Sequence, residues 1–66
     1  MNKQLYTKRR EFGYTQEYLA MAIGISTQSF HMKESGKSEF KMNEALRMTV
    51  IFDCTLNDLF GDREVF

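Results

Sequence analysis

A single residue, Ile25, separates two helical segments of this chain. The first segment ends on Gly24, which can take the left-handed conformation that stops a helix. The second begins on Ser26, whose hydroxyl can cap a free amide in the first turn. A joint this short leaves no room to fold back antiparallel, so the two segments must cross at a steep angle. The remaining constraints are looser. The chain has 66 residues, no proline and four glycines: Gly13, Gly24, Gly36 and Gly61. Glycines so placed suit short helices, whose ends are set by Gly, Ser, Thr, Asn and Asp.

Hydrophobic spacing predicts five such helices. Leu5, Arg9 and Phe12 share a stripe over Lys3–Phe12, which Gly13 closes. Thr15 caps a second segment in which Leu19, Ala20 and Ile23 line one face. The third runs over Ser26–Glu34 and has one large core candidate, Phe30. Its other face is Thr27, Gln28, His31 and Lys33, a poor composition for a helix needed only for packing. The fourth covers Lys41–Phe52, with Met42, Ala45, Leu46, Thr49 and Phe52 on one stripe and Phe40 as a staple before it. Asp53 follows, where glycine would be better suited. Thr55 caps Leu56–Phe60, which Gly61 stops. Five short helices with short connections imply a compact all-α domain. Residues 1–66 are expected to form one domain, with a helix-turn-helix pair at about 15–34 and a short tail at 62–66.

A chain this short buries only about 60% of its unfolded surface, so stability will be marginal. One cysteine, Cys54, rules out an intrachain disulfide, and with His31 it does not make the four ligands of a structural zinc. The hydrophobic fraction is 42%, with three Tyr and six Phe, which is sufficient for a core. No apolar run approaches the roughly 20 residues of a membrane span, so a soluble cytoplasmic protein is expected. No Ser/His/Asp set, carboxylate pair or phosphate-cradling glycine loop suggests an enzyme, and no cofactor, metal or small-molecule ligand is implied. The net charge is zero, but residues 1–37 carry +3 and residues 38–66 carry −3. The first half could therefore face an anionic partner.

The run Thr15-Gln16-x-x-Leu19-Ala20, the turn residue Gly24, the cap Ser26 and the buried position of Phe30 resemble the helix-turn-helix of the phage Cro/CI-repressor (XRE-type) family. Glu34-x-Gly36-Lys37 and Thr55-Leu56-x-x-Leu59-Phe60 are similar to further family motifs in the same register. The resemblance runs ungapped from about Leu5 to Phe60. It implies the five-helix lambda-repressor-like DNA-binding fold. Three positions depart from the family's pattern. Lys33 replaces a core aliphatic or aromatic residue, Ser35 replaces Asn, and Lys41 replaces a Ser or Thr cap. The first leaves two arrangements open: Met32 turned inward with Lys33 outward, or a Lys33 stem that snorkels to water.

A groove-reading helix needs short polar residues with both donor and acceptor character in its first turn. Thr27 and Gln28 have that character. By the resemblance, Thr27, Gln28 and Met32 contact bases, and His31 can reach a base edge or a phosphate. For Met32 the competing reading is core packing. Gln16 matches the family's phosphate-binding glutamine, assisted by the amides that open its helix. Ser26, Ser29, Ser35, Lys37 and Ser38 are candidates for the other strand's phosphates. Lys8 and Arg10 could approach the backbone or stay solvated. The family's equivalents of Arg9 and Glu34 form a structural ion pair. A sequence-specific transcriptional regulator is therefore expected, most simply a small phage or prophage Cro-like repressor. Its partners would be operator DNA and a second copy of itself, the dimer forming free or only on DNA. Val50, Ile51, Val65 and Phe66 are read equally as dimer contacts or as completing the monomer core. The alternative is a protein-interaction module on the same fold, such as an antitoxin-like or repressor-modulating partner.

Overall fold

Each helix begins on a residue that satisfies one of its free amides or leaves it to a neighbour. The computed structural model describes residues 1–61. Its elements are α1 (Lys3–Phe12), α2 (Gln16–Ile23), α3 (Thr27–Glu34), α4 (Met42–Phe52) and α5 (Leu56–Phe60). The Asn2 side chain accepts from the Leu5 amide, Thr15 from Tyr18, Ser26 from Ser29 and Thr55 from Asp58. At Thr55 the arrangement is reciprocal, because Asp58 Oδ2 accepts from the Thr55 amide at 3.0 Å. At the start of α4 only half of this exists. Lys41 has no side-chain acceptor, but Glu44 reaches back to the Lys41 amide at 2.9 Å.

The ends of the helices are less uniform. Gly24 stops α2 at φ 83°, and a Cβ there would lie 3.2 Å from Arg47 Nη1. That guanidinium donates to the Ile23 carbonyl at 3.1 Å, closing the end of α2 from α4. Asp53 takes the left-handed conformation at φ 52° without being glycine. Gly61 differs from expectation: it follows α5 at φ −65°, so the helix stops there without a left-handed residue.

Leu5, Leu19, Ala20, Ile23, Phe30, Phe40, Ala45, Met48, Phe52, Leu59 and Phe60 form the core. Phe40 belongs fully to it, with its ring 5.6 Å from Phe30 and 5.7 Å from Phe60. Two expectations are corrected. Phe12 is about half exposed, its ring resting edge-on against Phe52 at the margin of the core. In α4 the inward residues are Glu44, Ala45, Met48 and Phe52, while Met42 and Leu46 face outward. The helix carries two apolar stripes, Met42/Leu46/Val50 and Ala45/Met48/Phe52, so periodicity alone could not choose between them. Ile51 and Leu56 pack against the core, and Ile51 is thereby used within the monomer. Val50 is exposed. Val65 and Phe66, with the rest of the 62–66 tail, lie outside the described residues. No described helix is long and apolar enough to cross a membrane.

Lys33 points inward, and neither anticipated arrangement occurs. Its ammonium meets Glu44 at 2.7 Å, both side chains largely buried, and lies over the Phe40 ring. A charged pair thus fills the position where an apolar residue was expected, linking α3 to α4. Burial raises the Glu44 carboxyl, but hydrogen bonds from Lys33 and the Lys41 amide, together with both lysine charges, hold it below its ordinary 4.5. A carboxyl depressed by folding adds stability that is complete above its unfolded pKa and lost as the pH falls through its folded one. Denaturant titrations of Glu44→Gln at a series of pH values are therefore expected to show lower stability at neutral pH. They should also show a flatter decline below about pH 4.5 than the parent shows. An acid limb identical to the parent's would contradict this role.

Candidate nucleic-acid interface

The third helix has two faces. Phe30 and Glu34 are buried and Lys33 is half-buried, whereas Thr27, Gln28, His31 and Met32 are exposed. Met32 does not pack in the core, because Lys33 occupies the inward position and finds its counter-charge there. Thr27 and Gln28 stand in the first turn with no hydrogen-bond partner among the described residues. The Ser26 hydroxyl accepts from the Ser29 amide at 3.0 Å, and its own proton stays available for donation.

The far end of α3 is clamped. Glu34 accepts from Arg9 Nε at 3.0 Å, from Arg9 Nη2 at 3.2 Å and from Gln16 Nε2 at 2.8 Å. Arg9 Nη1 donates to the Tyr14 carbonyl at 2.9 Å, and the Glu34 carbonyl accepts from the Asn2 amide at 2.8 Å. One carboxylate therefore ties α3 to α1 and α2 through a two-pronged guanidinium and an amide. Lys33 and Glu44 hold the same turn of α3 from the side of α4. The orientation of the exposed face follows from these two anchors.

Gln16 has one amide hydrogen committed to Glu34 and keeps the other. It lies in a groove with Arg10, Thr15 and His31 at the opening of α2. The amides there carry the positive end of the helix dipole. Arg10 adds an exposed charge, its guanidinium resting over the Tyr6 ring at 5.7 Å. That groove is electrostatically suited to an anionic oxygen.

Beyond α3, Gly36 takes φ 90°, and the amides of Lys37 and Ser38 turn back to the Met32 carbonyl. Lys37 and Ser38 are exposed, and Ser29 is half-buried. Ser35 is differently placed. Its hydroxyl donates to the Met32 carbonyl at 2.9 Å, which leaves only acceptor capacity for a partner. A phosphate also only accepts, so Ser35 is chemically the poorest of the candidates. Arg9 and Lys33 are matched by Glu34 and Glu44. The positive surplus of the first half therefore rests on Lys3, Lys8, Arg10 and Lys37. The Asn2 anchor and the Tyr6–Arg10 stack were not anticipated. Their signals are modest: an Asn just before a helix, and an aromatic four residues before an arginine.

The family model described as Helix-turn-helix matches residues 5–59. The chain belongs to the Cro/CI (XRE-type) helix-turn-helix family. The match spans all of α1 to α4 except the first two residues of α1, and most of α5, so the steep α2–α3 joint and the clamped α3 lie inside it. The family is one of DNA-binding regulators, and the partner this implies is double-stranded DNA. No curated protein and no solved structure matches the chain.

Proposed function

We propose that the chain is a small Cro-like repressor of phage or prophage origin. It acts in the cytoplasm and binds a near-palindromic operator as a two-fold dimer. The observation that carries this reading is the division of α3. Its charged residues Lys33 and Glu34 are held inside the domain, while Thr27 and Gln28 stand unpartnered on its leading turn. A helix so arranged presents donor and acceptor groups to an external surface in a fixed orientation, which is what major-groove readout requires.

In this reading Gln28 bonds adenine through both amide atoms, and the Thr27 methyl meets a thymine methyl. His31 reaches a base edge or a phosphate, and Met32 adds apolar contact beside it. Phosphates on one strand are gripped by Gln16, the opening amides of α2 and Arg10. Those on the other are gripped by Ser26, Ser29, Lys37 and Ser38, with Ser35 contributing least. Phosphate contacts set position, and base contacts set sequence.

The salt dependence of binding tests this. Affinity for a selected duplex is expected to fall linearly on a double-logarithmic plot, by a slope of about 0.9 per phosphate neutralised. Lys37→Ala should weaken binding to all sequences alike and reduce the slope by about one. Absence of any duplex binding at low salt would overturn the reading and favour a protein-interaction module.

A further inference from the structure

His31 stands where two clefts meet. The first is the groove at the opening of α2, which it lines with Arg9, Arg10, Thr15 and Gln16. The second shares His31 and Gln16 with the first and adds Met1, Tyr6, Glu34 and Ser35. The imidazole is exposed and has no hydrogen-bond or ion-pair partner among the described residues. It belongs to the one histidine of the chain. Imidazole is the side chain whose ordinary titration falls between pH 5 and 8.

The charges around His31 decide when it takes a proton. From α1 come Arg9 and Arg10. Arg9 is matched by Glu34, whose carboxylate also accepts from Gln16. Arg10 has no carboxylate and meets only the Tyr6 ring and hydroxyl. From α2 come the neutral Thr15 and Gln16. Along α3 itself, Thr27 and Gln28 one turn earlier are neutral, and Lys33 turns away to Glu44. Met1 adds the terminal amine at the rim of the second cleft. The balance in the free protein is therefore positive, which disfavours a further positive charge on the imidazole. A phosphate oxygen in the groove reverses that balance. It favours the imidazolium, which then donates a charge-assisted hydrogen bond.

We propose that operator binding is proton-linked through His31: a phosphate seated beside Gln16 and Arg10 draws a proton from solvent onto the imidazole, and affinity rises as the pH falls through neutrality. The proposal rests on the phosphate grip described above and adds its regulation. By linkage, a proton that binds the complex better than the free protein strengthens the complex in equal measure.

Fluorescence anisotropy with the selected operator duplex, repeated at fixed ionic strength from pH 8 to pH 6, tests this. The parent is expected to bind roughly fivefold more tightly at pH 6 than at pH 8. His31→Gln alters an exposed position and should match the parent near pH 8, then change little as the pH falls. That variant keeps the terminal amine and so controls for its titration. His31→Arg, charged throughout, should bind at pH 8 about as tightly as the parent does at pH 6. A scrambled duplex at lower salt should show the same pH response, because a phosphate carries no sequence. A parent whose affinity ignores pH would overturn the proposal, as would a His31→Gln variant that keeps the parent's response. A response confined to the operator duplex would place His31 on a base edge and overturn the phosphate assignment. Binding that is indifferent to pH sinks this linkage alone, whereas no binding of any duplex by any form sinks the operator reading with it.

Discussion

Phe30→Ala will lower the stability of the domain by about 3–5 kcal/mol. Phe30 is 0% exposed and is the one large apolar side chain that α3 sends into the core. Its ring meets Phe40 edge-on, and Phe40 in turn meets Phe60, so its removal opens a void where α3, the loop before α4, and α5 converge. A domain of this length has roughly 3–10 kcal/mol of stability in total. The variant should therefore be partly unfolded at ambient temperature. Thermal melts followed by circular dichroism should show the midpoint falling by roughly 12 °C or more. Phe30→Leu, which keeps most of the volume, should lose far less. A Phe30→Ala variant that melts with the parent would show that α3 is not anchored through this ring.

The second large effect is expected at Glu34→Gln. The substitution keeps the shape and removes the charge that Arg9 faces in a largely buried setting, with side-chain exposures of 11% for Arg9 and 4% for Glu34. Removing one partner of a fully buried pair costs roughly 3–5 kcal/mol. The Gln amide still accepts one hydrogen bond and Arg9 keeps the Tyr14 carbonyl, so a loss of about 2–3 kcal/mol is expected here. Because Glu34 also holds Gln16, the α1–α2–α3 angle should loosen. DNA affinity should fall by about tenfold even at temperatures where the variant is fully folded, corresponding to about 1.4 kcal/mol. Denaturant melts and duplex titrations on the same preparation check both effects. Unchanged stability with unchanged affinity would remove Glu34 from the account.

The helix boundaries were legible because they are written in local chemistry. Thr15, Ser26 and Thr55 cap the helices they precede, and Gly13 and Gly24 close theirs in the left-handed region. Such signals act within a turn and need no tertiary information. The face of α4 was not legible, since Met42, Leu46 and Val50 form as regular an apolar stripe as Ala45, Met48 and Phe52 do. Periodicity identifies a helix but cannot rank two equivalent stripes. Lys33 was harder still. A lysine at a core position is explained only by its partner Glu44, which sits across the loop between α3 and α4. Within the interface, the leading turn of α3 could be read from residue types. That Ser35 commits its proton to Met32, and Gln16 one of its hydrogens to Glu34, follows only from geometry.

The role of the leading turn is tested most directly by selecting preferred sequences from random duplexes with the parent and with Gln28→Ala. Gln28 is exposed and unpartnered, so the substitution should leave the fold intact. If its amide reads a base, the variant will lose preference at one position of each half-site by about 1–3 kcal/mol while the flanking positions keep theirs. A selected motif identical to the parent's at every position would mean that the α3 leading turn does not touch the bases through Gln28.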